Sequence, residues 1–134
     1  MIRYAKGNVL DAPSFTNTVD LVGAMGAGLA KQVALRFPAC VGPYKQALRD
    51  GSLREGTVVS WRKPGGGHIL QVPTKRHWRD KSPLDLVEAS IGAMIAHARA
   101  LGCGLGGLDW EDQIKPLLEA ACKDLDDLTV VVHA

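Results

Sequence analysis

Lys75 lies in PTKRHWRDK, a basic and aromatic stretch between two glycine clusters, GAMGAG at 23–28 and GCGLGG at 102–107. A glycine loop that leads straight into a helix is a common way to hold a phosphate. The first helical N–H groups are free, the helix end carries partial positive charge, and glycine lets the backbone approach closely and take positive φ. Gly23, Gly26 and Gly28 stand in that position before LAKQVALRF. A tight strand-to-helix turn with no ligand fits the same spacing, so this loop alone does not decide. The second cluster formally matches G-x-G-x-x-G through Gly102, Gly104 and Gly107. A dinucleotide site needs a strand just before those glycines, and the pattern upstream reads as helix. No lysine followed by Ser or Thr completes a Walker A loop. Two glycine loops at the carboxyl ends of parallel strands would converge on one crevice, where a lysine could meet a diphosphate. By composition alone Lys75 is a solvated loop lysine.

The elements that must position these residues alternate between strand and helix. MIRYAKGNVL opens as a strand with a turn at Gly7–Asn8, and Phe15 to Val22 is β-branched and apolar, a strand. GLAKQVALRFP reads as a helix with Leu29, Val33 and Phe37 four apart and Pro38 beyond its end. Pro43 to Arg49 is a short helix closed by Gly51. TVVSWRK and HILQV are strands joined by a turn at Pro64 to Gly67, and PTKRHWRDK is a polar loop. Ser82 is the expected N-cap of a helix with Pro83 at its first position and Asp85 in its first turn. That helix is expected to run to about Leu101, burying Leu84, Val87, Ile91, Met94, Ile95, Ala98 and Leu101. Asp109 would cap a last helix with Ile114, Leu117, Leu118, Ala121 and Leu125 on its apolar face and a bend at Pro116. LTVVVHA is the closing strand, apolar throughout and so expected to be buried on both faces. The class is α/β, three layers around a mixed sheet, in a single domain spanning 1–134.

Composition narrows the partners. A length of 134 residues suits one domain with a real core. A net charge of +2 leaves room only for a local basic patch. Cys40, Cys103 and Cys122 are odd in number and lack CxxC spacing, which argues against a disulfide framework or a zinc site and fits the cytoplasm. The N-terminal stretch has no apolar signal region, and no apolar run is long enough for a membrane span.

NTVDLVGAMGAGLAKQVALRFP, VPTKRHWRDKS and LGCGLGGLDWE, in this order, resemble the macrodomain family over nearly the whole chain. Within it they are most similar to the DarG-type antitoxin branch, which is itself similar to the human terminal ADP-ribose glycohydrolase. The resemblance implies a three-layer α/β/α fold and an ADP-ribose pocket. Its ligand-binding positions would be Asn8 near adenine, Gly23, Met25, Gly26 and Gly28 in the first loop, Thr74, and Gly102, Cys103, Gly104, Leu105 and Gly106 in the second. It implies removal of ADP-ribose from thymidine in single-stranded DNA, reversing a DarT-type toxin, with no metal and no cofactor. Lys75 would be catalytic, with Asn17 or Asp20 as orienter, and Arg76, His77, Trp78 and Arg79 would contact DNA. Trp78 is expected rather to pack against the following helix, and Trp110 to wall the core or the pocket. A lysine amine can attack the anomeric carbon or the opened sugar aldehyde if its pKa is lowered.

Two departures from the family pattern stand out. Its NTVN reads NTVD here, with Asp20 in place of the second Asn. An ionised Asp only accepts hydrogen bonds; it could accept from a ribose hydroxyl, or pair with Lys75 and raise its pKa. The buried strand that the family carries before GCGLGG is also missing, roughly ten residues. Either the helix end becomes a strand, or the sheet is smaller, or the domain is compromised. The corresponding rivals are an ADP-ribose-binding module without turnover, and a hydrolase of carboxylate-linked ADP-ribose on proteins. The second of these expects an Asp where this chain has Gly106. A pure toxin-binding partner would have no affinity for ADP-ribose.

Overall fold

Successive side chains of a strand point to opposite faces, and FTNTVD uses both. The computed structural model describes residues 2–95, 100–102 and 128–132. In β2 (Phe15–Asp20), Phe15 joins a buried cluster with Val9, Leu10, Val33, Cys40 and Ile69, and Val19 joins a second with Tyr44, Ala47 and Leu53. Both clusters lie under α1 (Gly28–Arg36) and α2 (Val41–Asp50). One residue along, Thr16 donates to the Met94 sulfur of α3 (Leu84–Ile95) at 3.5 Å, on the opposite face. Each fully buried aliphatic or aromatic side chain in these layers contributes about 1.5–3 kcal/mol. Around β2 the sheet is thus covered on both sides, as expected of an α/β sheet.

β4 (His68–Lys75) runs between β2, with which it is parallel, and β3 (Val59–Arg62), with which it is antiparallel. The other half holds β1 (Ile2–Lys6), β6 (Leu128–Val132) and β5 (Ala100–Gly102) in the order β1-β6-β5, all parallel. β5 lies beside β2, which brings the two three-stranded halves edge to edge. The result is a mixed sheet, as the alternation of elements implies.

Several boundaries differ from the sequence reading. The helix expected to reach Leu101 is helical through Ile95, and Ala100–Gly102 is a strand paired with β6. Of the three outcomes left open for the missing strand, the first holds: the end of the helical pattern becomes a strand of three residues. Strand pairing outweighs helical periodicity there. PTK is likewise strand and not loop, because Val19 and Asp20 pair with Pro73 and Lys75. Ser82 is buried, but its hydroxyl has no hydrogen-bond partner and caps nothing. A 3-10 turn over Val9–Asp11, capped by the Asn8 side chain at 3.0 Å, was not foreseen. The last helix, with Asp109, Trp110 and Pro116, lies outside the described residues.

The β3–β4 connection depends on one glycine. Gly67 has φ +83, and a Cβ there would fall 1.8 Å from the carbonyl oxygen of Pro13. Lys63 spans the same region, donating to the Ala12 carbonyl at 3.0 Å with its ammonium over the rings of Phe15 and Phe37.

Candidate active site

At the carboxyl ends of β2 and β4 lies a cleft of about 530 Å³, within the range of small-molecule sites. Thr18 and Asp20 line it from β2, Thr74 and Lys75 from β4, and Trp78 from the segment beyond. Its opposite wall is the first glycine loop and the start of α1: Ala24, Gly26, Ala27, Gly28, Leu29 and Ala30. Ala27 caps α1 without a side-chain hydrogen bond, and the helix ladder begins with Lys31 N–H donating to the Ala27 carbonyl. The first N–H groups of α1 therefore have no helical acceptor, and they belong to residues that line the cleft, as at a site that holds an anion.

Asp20 sets the loop. Its Oδ1 accepts from the backbone N–H groups of Val22, Gly23 and Ala24 at 3.0, 2.9 and 3.1 Å. Tyr44 of α2 donates to the same oxygen at 2.9 Å and to the Asp20 carbonyl at 2.7 Å. Burial, then the carboxylate beside it, raises the Tyr44 phenol well above its ordinary pKa. Gly23, at φ +91, supplies the turn that brings its N–H round to this oxygen. Among the ion pairs of the described residues none joins Asp20 to Lys75, although the two are register partners. The pairing considered from the sequence does not form.

A bulge aims Lys75. The β2–β4 register shifts between Val19 and Asp20, which pair with Pro73 and Lys75, so Thr74 is the extra residue. A bulge re-aims the side chains that follow it, and here consecutive residues, Thr74 and Lys75, both line the cleft. Pro73 is tolerated because β3 pairs with β4 only as far as Gln71, and because a bulge interrupts the ladder. Ser90 of α3 donates to the Pro73 carbonyl at 2.5 Å.

The remaining sequence candidates divide. Gly26, Gly28, Thr74, Lys75, Asp20 and Trp78 meet in the cleft. Asn17 does not: it is 0 % exposed and donates to Gln71 at 2.9 Å on the face toward α1 and α2. Asn8 caps its 3-10 turn instead of lining the cleft, and Met25 packs against the two buried clusters. Gly102 ends β5, while Cys103, Gly104, Leu105 and Gly106 lie outside the described residues. Arg76 is engaged by two carboxylates: Nε and Nη2 donate to Glu55, and Nη2 to Asp85 at 3.2 Å. These contacts hold Glu55 and Asp85 below the ordinary carboxylate range. Trp78 is not packed under the helix. It is 53 % exposed, with the His77 ring 5.3 Å away and the Arg79 guanidinium 4.7 Å over its own ring. Tyr44, Glu55, Asp85 and Ser90 are supporting residues that the sequence does not announce, since each acts across a tertiary contact. Among the described residues, no group of His, Cys, Asp and Glu could hold a metal ion.

No family model matches the chain. Individual relatives do. A DNA ADP-ribosyl glycohydrolase of Mycobacterium tuberculosis is 35% identical over 148 residues, covering 99% of this chain and 42% of the relative. That alignment is longer than this chain of 134 residues, so the relative carries residues that this chain lacks. The macrodomain of Thermus aquaticus DarG superposes with a TM-score of 0.86 at 30% identity, covering 100% of this chain and 98% of that one. Thermosipho africanus DarTG in complex with ADP-ribose gives a TM-score of 0.85 at 23% identity, over 98% of this chain and 42% of the other, a likeness of fold. The fold is that of a macrodomain. The chain belongs to the DarG macrodomain family. It spans less than half the length of the mycobacterial relative.

Proposed function

We propose that this chain, as a single macrodomain over 1–134, binds ADP-ribose in the cleft and releases it from thymidine in single-stranded DNA, with Lys75 as the catalytic residue. One observation carries the reading: in a DarG-family chain, the bulged end of β4 delivers Lys75 into the cleft that the free end of α1 also lines. The diphosphate would lie on the N–H groups of Gly28, Leu29 and Ala30. The ribose would then extend toward Thr74 and Lys75. The Lys75 amine would attack the anomeric carbon and form a covalent adduct there. As the glycosidic bond breaks, its electron pair passes to the thymine nitrogen, which takes a proton. Water then releases ADP-ribose and restores the free amine.

The DNA strand would approach over Trp78 and Arg79. An exposed indole suits base stacking, and Arg79 beside it suits a phosphate. His77 buttresses the indole, and Arg76 is withdrawn from DNA by Glu55 and Asp85. A DarT-type toxin would supply the modified DNA, and the reaction would take place in the cytoplasm. No helix among the described residues is long and apolar enough to cross a membrane. A binding module without turnover is disfavoured, because the Asp20 Oδ1 atom is engaged by the loop and Asp20 forms no ion pair with Lys75.

The test is release of ADP-ribose from a modified single-stranded oligonucleotide by the unchanged protein and by Lys75→Ala. Loss of a covalent or electrostatic catalyst should lower turnover by at least about 100-fold. ADP-ribose affinity should stay within about threefold, since the phosphate wall is untouched. Full turnover by Lys75→Ala would remove that residue from the mechanism.

A further inference from the structure

The chain on either side of Lys75 is held from α3, at Pro73 by Ser90 and at Arg76 by Asp85, and we propose that Ser90 and Asp85, together with Glu55, form a brace that sets the working position of Lys75. This inference rests on the function proposed above. Two residues before Lys75, the Pro73 carbonyl accepts from Ser90 Oγ at 2.5 Å. One residue after it, the Arg76 guanidinium is held by Asp85, in the first turn of α3, and by Glu55, in the α2–β3 connection. Ser90 is 0 % exposed, so its bond is shielded from water, whereas the Arg76 contacts are at the surface.

The bulge explains why a brace is needed. An extra residue leaves a strand bent and its ladder locally broken, and Thr74 is that residue. Past Gln71, β3 no longer pairs with β4. Among the described residues, the backbone that carries Lys75 thus has neighbouring-strand support on the β2 side alone. A lysine side chain has four rotatable bonds, so its ammonium can be placed only if its backbone is fixed. The three supporting groups act on the backbone of Pro73 and the side chain of Arg76, and none of them lines the cleft. They are positioning residues, acting through the chain on either side of the catalytic one. The same contacts take Arg76 out of service as a DNA ligand, which separates it from Arg79.

The experiment compares the unchanged protein with the double variant Glu55→Gln/Asp85→Asn and with Ser90→Ala, using ADP-ribosylated single-stranded DNA as substrate. A misplaced catalytic group costs of the order of 10- to 100-fold in kcat, so the double variant should lose about tenfold or more. KM and the affinity for free ADP-ribose should remain within about twofold, because the anion wall is untouched. Both substitutions keep side-chain shape at exposed positions, so the thermal midpoint should hold. Ser90→Ala should lose kcat likewise, at some cost in stability. A generic structural role would instead lower the thermal midpoint and ADP-ribose affinity together. Unchanged kcat in the double variant overturns the brace. So does a lower KM at unchanged kcat, which would show Arg76 freed to bind DNA. An unchanged protein with no turnover overturns the proposed function and the brace with it, whereas turnover that depends on Lys75 but not on Glu55 and Asp85 overturns the brace alone.

Discussion

Asp20 holds the entry to the first glycine loop by the N–H groups of Val22, Gly23 and Ala24, and Tyr44 holds Asp20. A hydrogen bond to an ionised acceptor contributes about 1.5–3 kcal/mol, and the donors here are only part-buried. Asp20→Ala should therefore lower stability by roughly that amount and weaken ADP-ribose binding about tenfold or more, read by calorimetric titration. Asp20→Asn keeps a carbonyl oxygen in place of Oδ1 and should bind within a few-fold of the unchanged protein. An equal loss in both variants would mean that the charge matters and not the acceptor. Tyr44 adds a pH signature. Its phenol pKa is raised in the fold, first by burial and then by Asp20. The folded protein thus keeps a proton that the unfolded chain releases. The stabilisation is complete below about pH 10, the ordinary phenol value, and is lost as the pH rises beyond it. The urea midpoint should fall on that alkaline side, and Tyr44→Phe should flatten the fall. An unchanged slope in Tyr44→Phe would assign the loss to other groups.

Among the elements, those with strong periodicity could be read from the sequence. Leu29 and Val33 fix α1, and the β-branched run at 15–20 fixes β2. PTK and ALG could not be read so. The first carries a proline and a lysine, and becomes strand only because β2 pairs with it. The second is three residues without a period of its own, and becomes strand only because β6 does. Asn17 illustrates the limit at the site: NTVD places two polar residues near a cleft, but the pleat turns Asn17 inward to Gln71. Two substitutions test the elements. Gly67→Ala would set a Cβ against the Pro13 carbonyl at positive φ and should cost at least about 1–3 kcal/mol. Gly65→Ala, at φ +87 with nothing within 4 Å, should cost less. Equal thermal shifts would remove the Pro13 contact as the cause. Ser82→Ala deletes a buried hydroxyl without a partner, so it should be neutral or stabilise by up to about 1 kcal/mol in urea titration. A loss above that would mean that the hydroxyl has a bound water as partner.

For the molecule as a whole, ligand that binds only the folded state must raise stability, by about 2.7 kcal/mol at a concentration 100 times Kd. ADP-ribose should shift the thermal midpoint accordingly, and adenosine, which lacks the diphosphate, should do so far less. Equal shifts from both would take the anion wall out of the recognition. The sheet's division into halves bears on how the molecule forms. β2, β3, β4 and α3 lie within residues 15–95, whereas β1 must pair with β6 across almost the full sequence, Ile2 against Leu128. Long-range parallel pairing is slow because the entropy of closing a large loop comes first. A chain emerging from the ribosome can therefore collect Thr18, Asp20, Thr74 and Lys75 on one half-sheet while its first strand still waits for a partner not yet synthesised.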